Sequence, residues 1–85
     1  APMTFPEGKY NVKCKMEDIA ECPEAMEIVS KAVKLATNFD VRPGVGMWDM
    51  MKSMAPEGMV NMAGNMLPEG FLESLNAQLI KINKP

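Results

Sequence analysis

The sequence predicts an all-α fold, an orthogonal array of about five short helices preceded by an extended N-terminal arm. Four of the seven prolines are followed by glutamate, a pattern preferred in the first turn of a helix. Between these starts, apolar residues recur every three or four positions, as they do on one face of a helix. Strand-like alternation is confined to one short segment, so the pattern predicts no sheet.

The chain divides into an arm and one helical domain. Residues 1–14 are predicted to form the extended arm, because Tyr10 to Cys14 alternates apolar and polar residues but is too short to make a sheet alone. Residues 15–85 are predicted to form a single helical domain. At this length one hydrophobic core is expected, with modest stability.

The first two helices lie on either side of Pro23. Met16 and Ile19 have helical spacing, and their helix must end before Pro23, because a residue preceding proline disfavours the helical conformation. Pro23 begins the longest helix, which is expected to run to about Thr37 and to be contacted on more than one side. Its apolar stripe is Met26, Val29, Val33 and Ala36, with Ile28, Ala32 and Leu35 beside it. Its charged side holds Glu24, Glu27, Lys31 and Lys34, with Glu27 and Lys31 ordered as a favourable i,i+4 pair.

The segment from Asn38 to Gly46 is predicted to be a loop, because it combines a proline with two glycines. Its apolar residues, Phe39, Val41 and Val45, are expected to point inward.

Two bursts of methionine follow the loop and hold seven of the ten methionines of the chain. Because methionine fills irregular gaps between short helices, each burst is predicted to form a helix face that packs on the other. The first face is Met47, Met50, Met51 and Met54, with Trp48 at its edge. The second, after Pro56, is Met59, Met62, Ala63 and Met66, and Gly64-Asn65 suits a left-handed cap at its end.

The density of methionine leaves two further interpretations open. The bursts exceed what packing requires, so they also fit an adaptable surface for a partner peptide or protein. Thioethers bind Cu(I) as well, and the spacing of the first burst lets three sulfurs approach one ion.

Pro68 is predicted to begin the last helix. The apolar spacing that follows predicts a core face and leaves Ile80 off it, where it is either an ordinary exposed residue or part of a contact. The core face is Phe71, Leu72, Leu75, Leu79 and Ile82.

Composition excludes most catalytic and nucleic-acid functions. The chain has no histidine, which removes the commonest general base and metal ligand, and its serines lie inside predicted helices. Nine Lys and Arg against eleven Asp and Glu give no basic surface for nucleic acid. No segment is apolar for long enough to span a membrane. We therefore predict no catalytic residue, no metal ligand and no cofactor.

Cys14 and Cys22 are the two cysteines, and their spacing fits neither a Cys-x-x-Cys redox motif nor a zinc pair. The first interpretation makes both thiols small buried apolar groups in a reducing compartment, which favours the cytoplasm. The alternative joins them in a disulfide that closes a short loop.

Several residue groups resemble those of a known kind of module. They are Met16-Glu17-Asp18-Ile19, Cys22-Pro23-Glu24-Ala25 with Val29, Met62-Ala63-Gly64, Leu67-Pro68-Glu69-Gly70-Phe71-Leu72, and Leu75-Asn76-Ala77-Gln78-Leu79. Residues 16–82 resemble the small helical modules at the C-terminal end of some bacterial glycoside hydrolases, notably family 3 β-glucosidase-type enzymes. The opening and the ending also resemble a small bacterial domain of unknown function with a cysteine pair. The resemblance implies no catalytic residue here, because the hydrolase nucleophile and acid would lie in other domains.

These observations predict a non-catalytic accessory or interaction module that packs on a protein partner or a neighbouring domain, and the resemblance implies an association with a carbohydrate-active enzyme. The chain itself is not expected to be an enzyme, unless it is a piece of a larger hydrolase. The alternative is a free-standing methionine-rich protein that binds a peptide, a lipid or a soft metal through its Met47–Met66 face. The candidate interaction face is Met47, Trp48, Met50, Met51, Met54, Met59, Met62 and Ile80.

Overall fold

The chain folds as an all-α array of five helices preceded by an arm, as the sequence predicts. A computed structural model describes residues 3–85, leaving aside the side chain of Asn65, so the first two residues of the predicted arm lie outside the described residues. The helices are α1 (Met16–Ile19), α2 (Pro23–Thr37), α3 (Trp48–Met51), α4 (Pro56–Ala63) and α5 (Phe71–Leu79). A 3₁₀ turn, Gly64–Met66, follows α4. Within residues 3–85 no strand forms, and an isolated β-bridge pairs Lys9 with Asn83.

The predicted bounds of α2 are confirmed. Pro23 lies in its first turn, and Asn38 ends it in the left-handed conformation with φ 65°. One side of the helix packs on α1 and α5 and buries Val29. The opposite side is less covered than predicted, because Leu35 remains 87% exposed.

Two of the helices are shorter than predicted. The first methionine burst was expected to be helical from Met47 to Met54, but α3 covers only four residues. The last helix begins at Phe71 instead of Pro68, because Gly70 takes a left-handed φ of 79° and the Phe71 N–H donates to the Pro68 carbonyl oxygen at 3.2 Å. No helix in residues 3–85 is long and apolar enough to cross a membrane.

The arm is an integral part of the core. Tyr10 and Val12 are both buried, and the Tyr10 N–H donates to the Ile82 carbonyl oxygen at 3.1 Å. A further backbone bond joins the Lys84 N–H to the Gly8 carbonyl oxygen at 2.8 Å. The buried apolar residues are Tyr10, Val12, Met16, Ile19, Ala25, Met26, Val29, Val41, Trp48, Leu75, Leu79 and Ile82.

The loop between α2 and α3 is only partly packed as predicted. Val41 is buried, and its carbonyl oxygen accepts a hydrogen bond from the buried Ser30 hydroxyl. Phe39 and Val45 were expected to point inward, but they are 65% and 37% exposed. The hydrogen bond from Ser30 therefore fixes the loop at Val41, the residue whose side chain is buried, while Phe39 and Val45 stay exposed.

Candidate interaction surface

Trp48 determines how α3 lies on the core. Its side chain is 8% exposed, and Met51 on the same side packs partly against the core. Met47 and Met50 are then turned outward and are 60% and 70% exposed. The predicted arrangement, with the methionines packed and Trp48 at the edge of their face, is therefore wrong for this helix. Tryptophan buries more apolar area than methionine, so it takes the inner position.

The end of α3 is held by the start of α1. The Glu17 N–H donates to the Lys52 carbonyl oxygen at 2.9 Å, and the Met16 N–H donates to the Met54 carbonyl oxygen at 2.8 Å. These two N–H groups belong to the first turn of α1, where a helix cannot satisfy them itself. The segment that carries the first methionine burst is therefore attached to the core through its backbone as well as through Trp48.

The second burst lies on α4 and on the turn that follows. The start of α4 is fixed by the arm, because the Glu57 N–H donates to the Val12 carbonyl oxygen at 3.0 Å. Met59 is half-buried against the core, whereas Met62 is 78% exposed. Met66, beyond the positive φ of Gly64, is 70% exposed. The expected packing of the two bursts on each other therefore leaves much of both outside.

We define the methionine surface as the four exposed methionines, Met47, Met50, Met62 and Met66. The methionines in the core are Met16 and Met26, and neither belongs to a burst. The structure thus divides the candidate interaction face. Met47, Met50 and Met62 are exposed, Met51, Met54, Met59 and Ile80 are half-buried, and Trp48 is buried.

The described residues offer little reactive chemistry. No group of three or more His, Cys, Asp or Glu side chains among residues 3–85 is placed to hold a metal ion. Both cysteines are free and half-buried, and the Cys14 thiol lies 3.7 Å from the Asn11 side-chain oxygen. Burial raises the pKa of Tyr10 above its ordinary value of 10.0, and nearby Cys22 adds to this effect.

The structure adds two surfaces that the sequence did not predict. A shallow cleft of about 440 Å³ lies between α4 and α5, and Phe71 and Glu73 are among its walls. A smaller groove of about 240 Å³ runs along α2 beside Gln78 of α5. The sequence could have indicated the groove, because the spacing of Ile28, Ala32 and Leu35 places them together on one side of α2. This side differs from the side that packs into the core.

Comparisons with known proteins give no relative. No protein-family model, no curated protein sequence and no solved structure matches the chain.

Proposed function

We propose that this chain is a non-catalytic helical interaction module whose methionine surface packs on a neighbouring domain. The observation that carries the proposal is the exposure of Met47, Met50, Met62 and Met66, which ranges from 60% to 78%. Exposed large apolar side chains on a small domain can mark a contact site. Methionine suits such a site because its unbranched side chain adapts to the shape of a partner.

The size of the surface favours a tethered neighbour over a freely diffusing partner. Full burial of a methionine side chain is worth about 1.5 to 3 kcal/mol, so four contribute about 6 to 12 kcal/mol at most. Association of two separate chains costs about 4 to 15 kcal/mol in lost freedom. A neighbour in the same polypeptide avoids most of that cost because its effective concentration is high.

The resemblance of residues 16–82 to modules of family 3 glycoside hydrolases suggests the kind of neighbour. We propose that it is a domain of a carbohydrate-active enzyme, which would supply the catalytic residues. In that arrangement the module contributes packing surface and no chemistry to the reaction.

The test begins with the reading frame that encodes the chain and asks whether it continues into a hydrolase domain. The 85-residue chain and the full polypeptide are then exposed to dilute hydrogen peroxide, and sulfoxide formation is followed at each methionine by peptide mass spectrometry. We expect the methionine surface to oxidise rapidly in the short chain and slowly in the full polypeptide.

Met16 and Met26 serve as internal controls, because both are buried in the core and should oxidise slowly in either form. Equal oxidation of the methionine surface in both forms would contradict the proposal. A reading frame without a further domain would remove the tethered neighbour and leave the alternative below.

The alternative, a free-standing protein that binds a soft metal, is favoured by one observation. Met47, which immediately precedes α3, and Met50 within it are both exposed and lie three residues apart, a spacing that brings side chains close on a helix surface. Titration of the chain with Cu(I) against a colorimetric chelator distinguishes the two functions. The interaction module should not compete with the chelator, whereas a copper-binding protein should.

A further inference from the structure

The outer side of α2 carries an apolar stripe that the described part of the chain covers only in part. Leu35 is 87% exposed, more than any other large apolar residue named above, and Ile28 and Ala32 are half-buried beside it. At about 100° per residue, the three lie within an arc of about 60°. We call Ile28, Ala32 and Leu35 the α2 outer stripe. It borders the groove between α2 and Gln78.

Charged residues follow one flank of this stripe in a polarised order. Glu24 and Glu27 lie in the N-terminal half of α2, and Lys31 and Lys34 lie in the C-terminal half. All four are exposed, and helical geometry places them on the same side of the stripe. The flank is therefore acidic at one end and basic at the other, with no net charge.

We propose that the α2 outer stripe is a self-complementary interface that pairs with α2 of a second copy of this chain, in antiparallel orientation. In a two-fold symmetric dimer the same patch of each copy must complement itself. Antiparallel pairing meets this condition, because it sets the acidic half of each flank beside the basic half of the other. Parallel pairing does not bring the flanks together, because its two-fold axis runs along the helices and sets the two charged flanks on opposite sides of the interface.

The register follows from the helix itself. The midpoint of Pro23–Thr37 is Ser30, so full overlap of two antiparallel helices sets Ile28 level with the partner's Ala32. The small alanine gives room for the larger isoleucine at that level. Glu27 then lies within one helical turn, about 5.4 Å along the axis, of the partner's Lys31.

The charges that this pairing uses are available. The structure contains an ion pair between Lys34 and Asp40, with 3.4 Å between nitrogen and oxygen, so Lys34 is partly engaged within the chain. The predicted pair of Glu27 with Lys31 does not form within the described residues, which leaves both side chains free to reach a second copy. The cross-chain contact of Glu27 with Lys31 is therefore the principal polar one.

The proposed interface is small, so the dimer must be sought at high chain concentration. A helix of 15 residues is about 22 Å long, and one helix pair of this length buries less area than a typical stable dimer interface. We therefore expect a dimer that forms reversibly as the chain concentration rises from micromolar to millimolar. Sedimentation equilibrium across that range measures it.

Leu35→Ser tests the apolar part of the interface. The side chain is almost fully exposed in the monomer, so the fold should be unaffected, as circular dichroism would confirm. We expect the dimer dissociation constant to rise by about tenfold or more. Met62→Ser is the matched control, because Met62 is 78% exposed and belongs to α4, outside the α2 outer stripe, and it should leave the constant unchanged.

Charge reversal tests the orientation. Glu27→Lys and Lys31→Glu should each weaken self-association, because each places like charges across the antiparallel interface. An equimolar mixture of the two variants should restore association to the level of the unsubstituted chain. A parallel dimer behaves differently, because its charged flanks lie on opposite sides of the interface and neither single variant should then weaken it through a contact of Glu27 with Lys31.

Two results would overturn the proposal. One is an unsubstituted chain that remains monomeric at millimolar concentration. The other is a dimer that Met62→Ser weakens and Leu35→Ser does not, which would place self-association at the methionine surface. The oxidation experiment compares the chain with the full polypeptide at a concentration at which the chain is monomeric, so the two proposals fail separately.

Discussion

Asn76 is a buried amide that joins α5 to the arm. Its side chain is 2% exposed, and its Oδ1 accepts a hydrogen bond from the Val12 N–H at 3.1 Å. Its Nδ2 donates to the Thr4 carbonyl oxygen at 2.9 Å. One residue therefore satisfies two backbone groups of the arm, at a point where no helix or sheet supplies partners for them.

We predict that Asn76→Ala lowers the free energy of unfolding by about 2 to 4 kcal/mol, because it removes a hydrogen bond and leaves the buried Val12 N–H without a partner. Urea denaturation followed by circular dichroism measures the change. Asn61→Ala is the control, because Asn61 is exposed on α4 and its replacement should change stability by less than about 0.5 kcal/mol. Similar losses in the two variants would contradict the assigned role of Asn76.

Residue type alone did not predict which apolar side chain of α3 faces the core. The spacing of the methionines is a correct helical pattern, yet Trp48 is the residue that is buried. A four-residue helix has little more than one turn, so its orientation depends on its largest side chain more than on periodicity. The sequence likewise contained nothing to separate Asn76 from the exposed asparagines, since its partners are distant in the chain.

At the level of elements, the tripeptide Pro-Glu-Gly occurs twice and has a different structure each time. Pro56-Glu57-Gly58 forms the first turn of α4, where the Val12 carbonyl oxygen accepts from the Glu57 N–H. Pro68-Glu69-Gly70 instead forms a turn in which Gly70 adopts a left-handed φ. Local sequence therefore predicts that a helix starts nearby, and a tertiary contact decides at which residue.

The C-terminal end of α2 allows a prediction whose control variant should change the free energy of unfolding in the opposite direction. Asn38 has a left-handed φ of 65°, which glycine adopts without strain, so we expect Asn38→Gly to raise the free energy of unfolding by up to about 1 kcal/mol. Asn61→Gly, within α4, should lower it by a few tenths of a kcal/mol because glycine disfavours the helix interior. Thermal unfolding of both variants measures the difference. A loss of stability in the Asn38 variant would argue against its backbone conformation.

At the level of the whole molecule, the sequence predicted the helical class, the arm and the full extent of α2. It also predicted the buried side of α5, with Leu75 and Leu79 in the core, and the burial of Ile82 beyond the helix. The part played by the arm was not foreseen, because Tyr10 and Val12 contact residues more than sixty positions away. Periodicity describes neighbours along the chain and carries no information about such contacts.

The burial of Tyr10 gives the molecule a predicted sensitivity to alkali. Burial holds the pKa of Tyr10 above 10.0, its value in an unfolded chain, so the folded state favours the protonated phenol. The resulting stability is present below pH 10.0 and is lost as the pH rises from there through the folded pKa. The groups that act in the same direction are Cys22, Glu21, Cys14 and Asp18.

We therefore expect the free energy of unfolding to fall more steeply above pH 10.0 in the unsubstituted chain than in Tyr10→Phe, which has no phenol to ionise. Urea denaturation at neutral and alkaline pH compares them. Because Tyr10 is the sole tyrosine, phenolate absorbance reports its ionisation directly. Identical pH profiles for the two chains would show that the phenol is not protected by folding.

The backbone bond between Lys84 and Gly8 and the bridge of Lys9 with Asn83 bring two distant parts of the polypeptide side by side. The segments Gly8-Lys9 and Asn83-Lys84 therefore lie side by side, close to the spacing of adjacent strands, about 5 Å. A force that pulls the two segments apart would break these few hydrogen bonds in sequence before it acted on the helices.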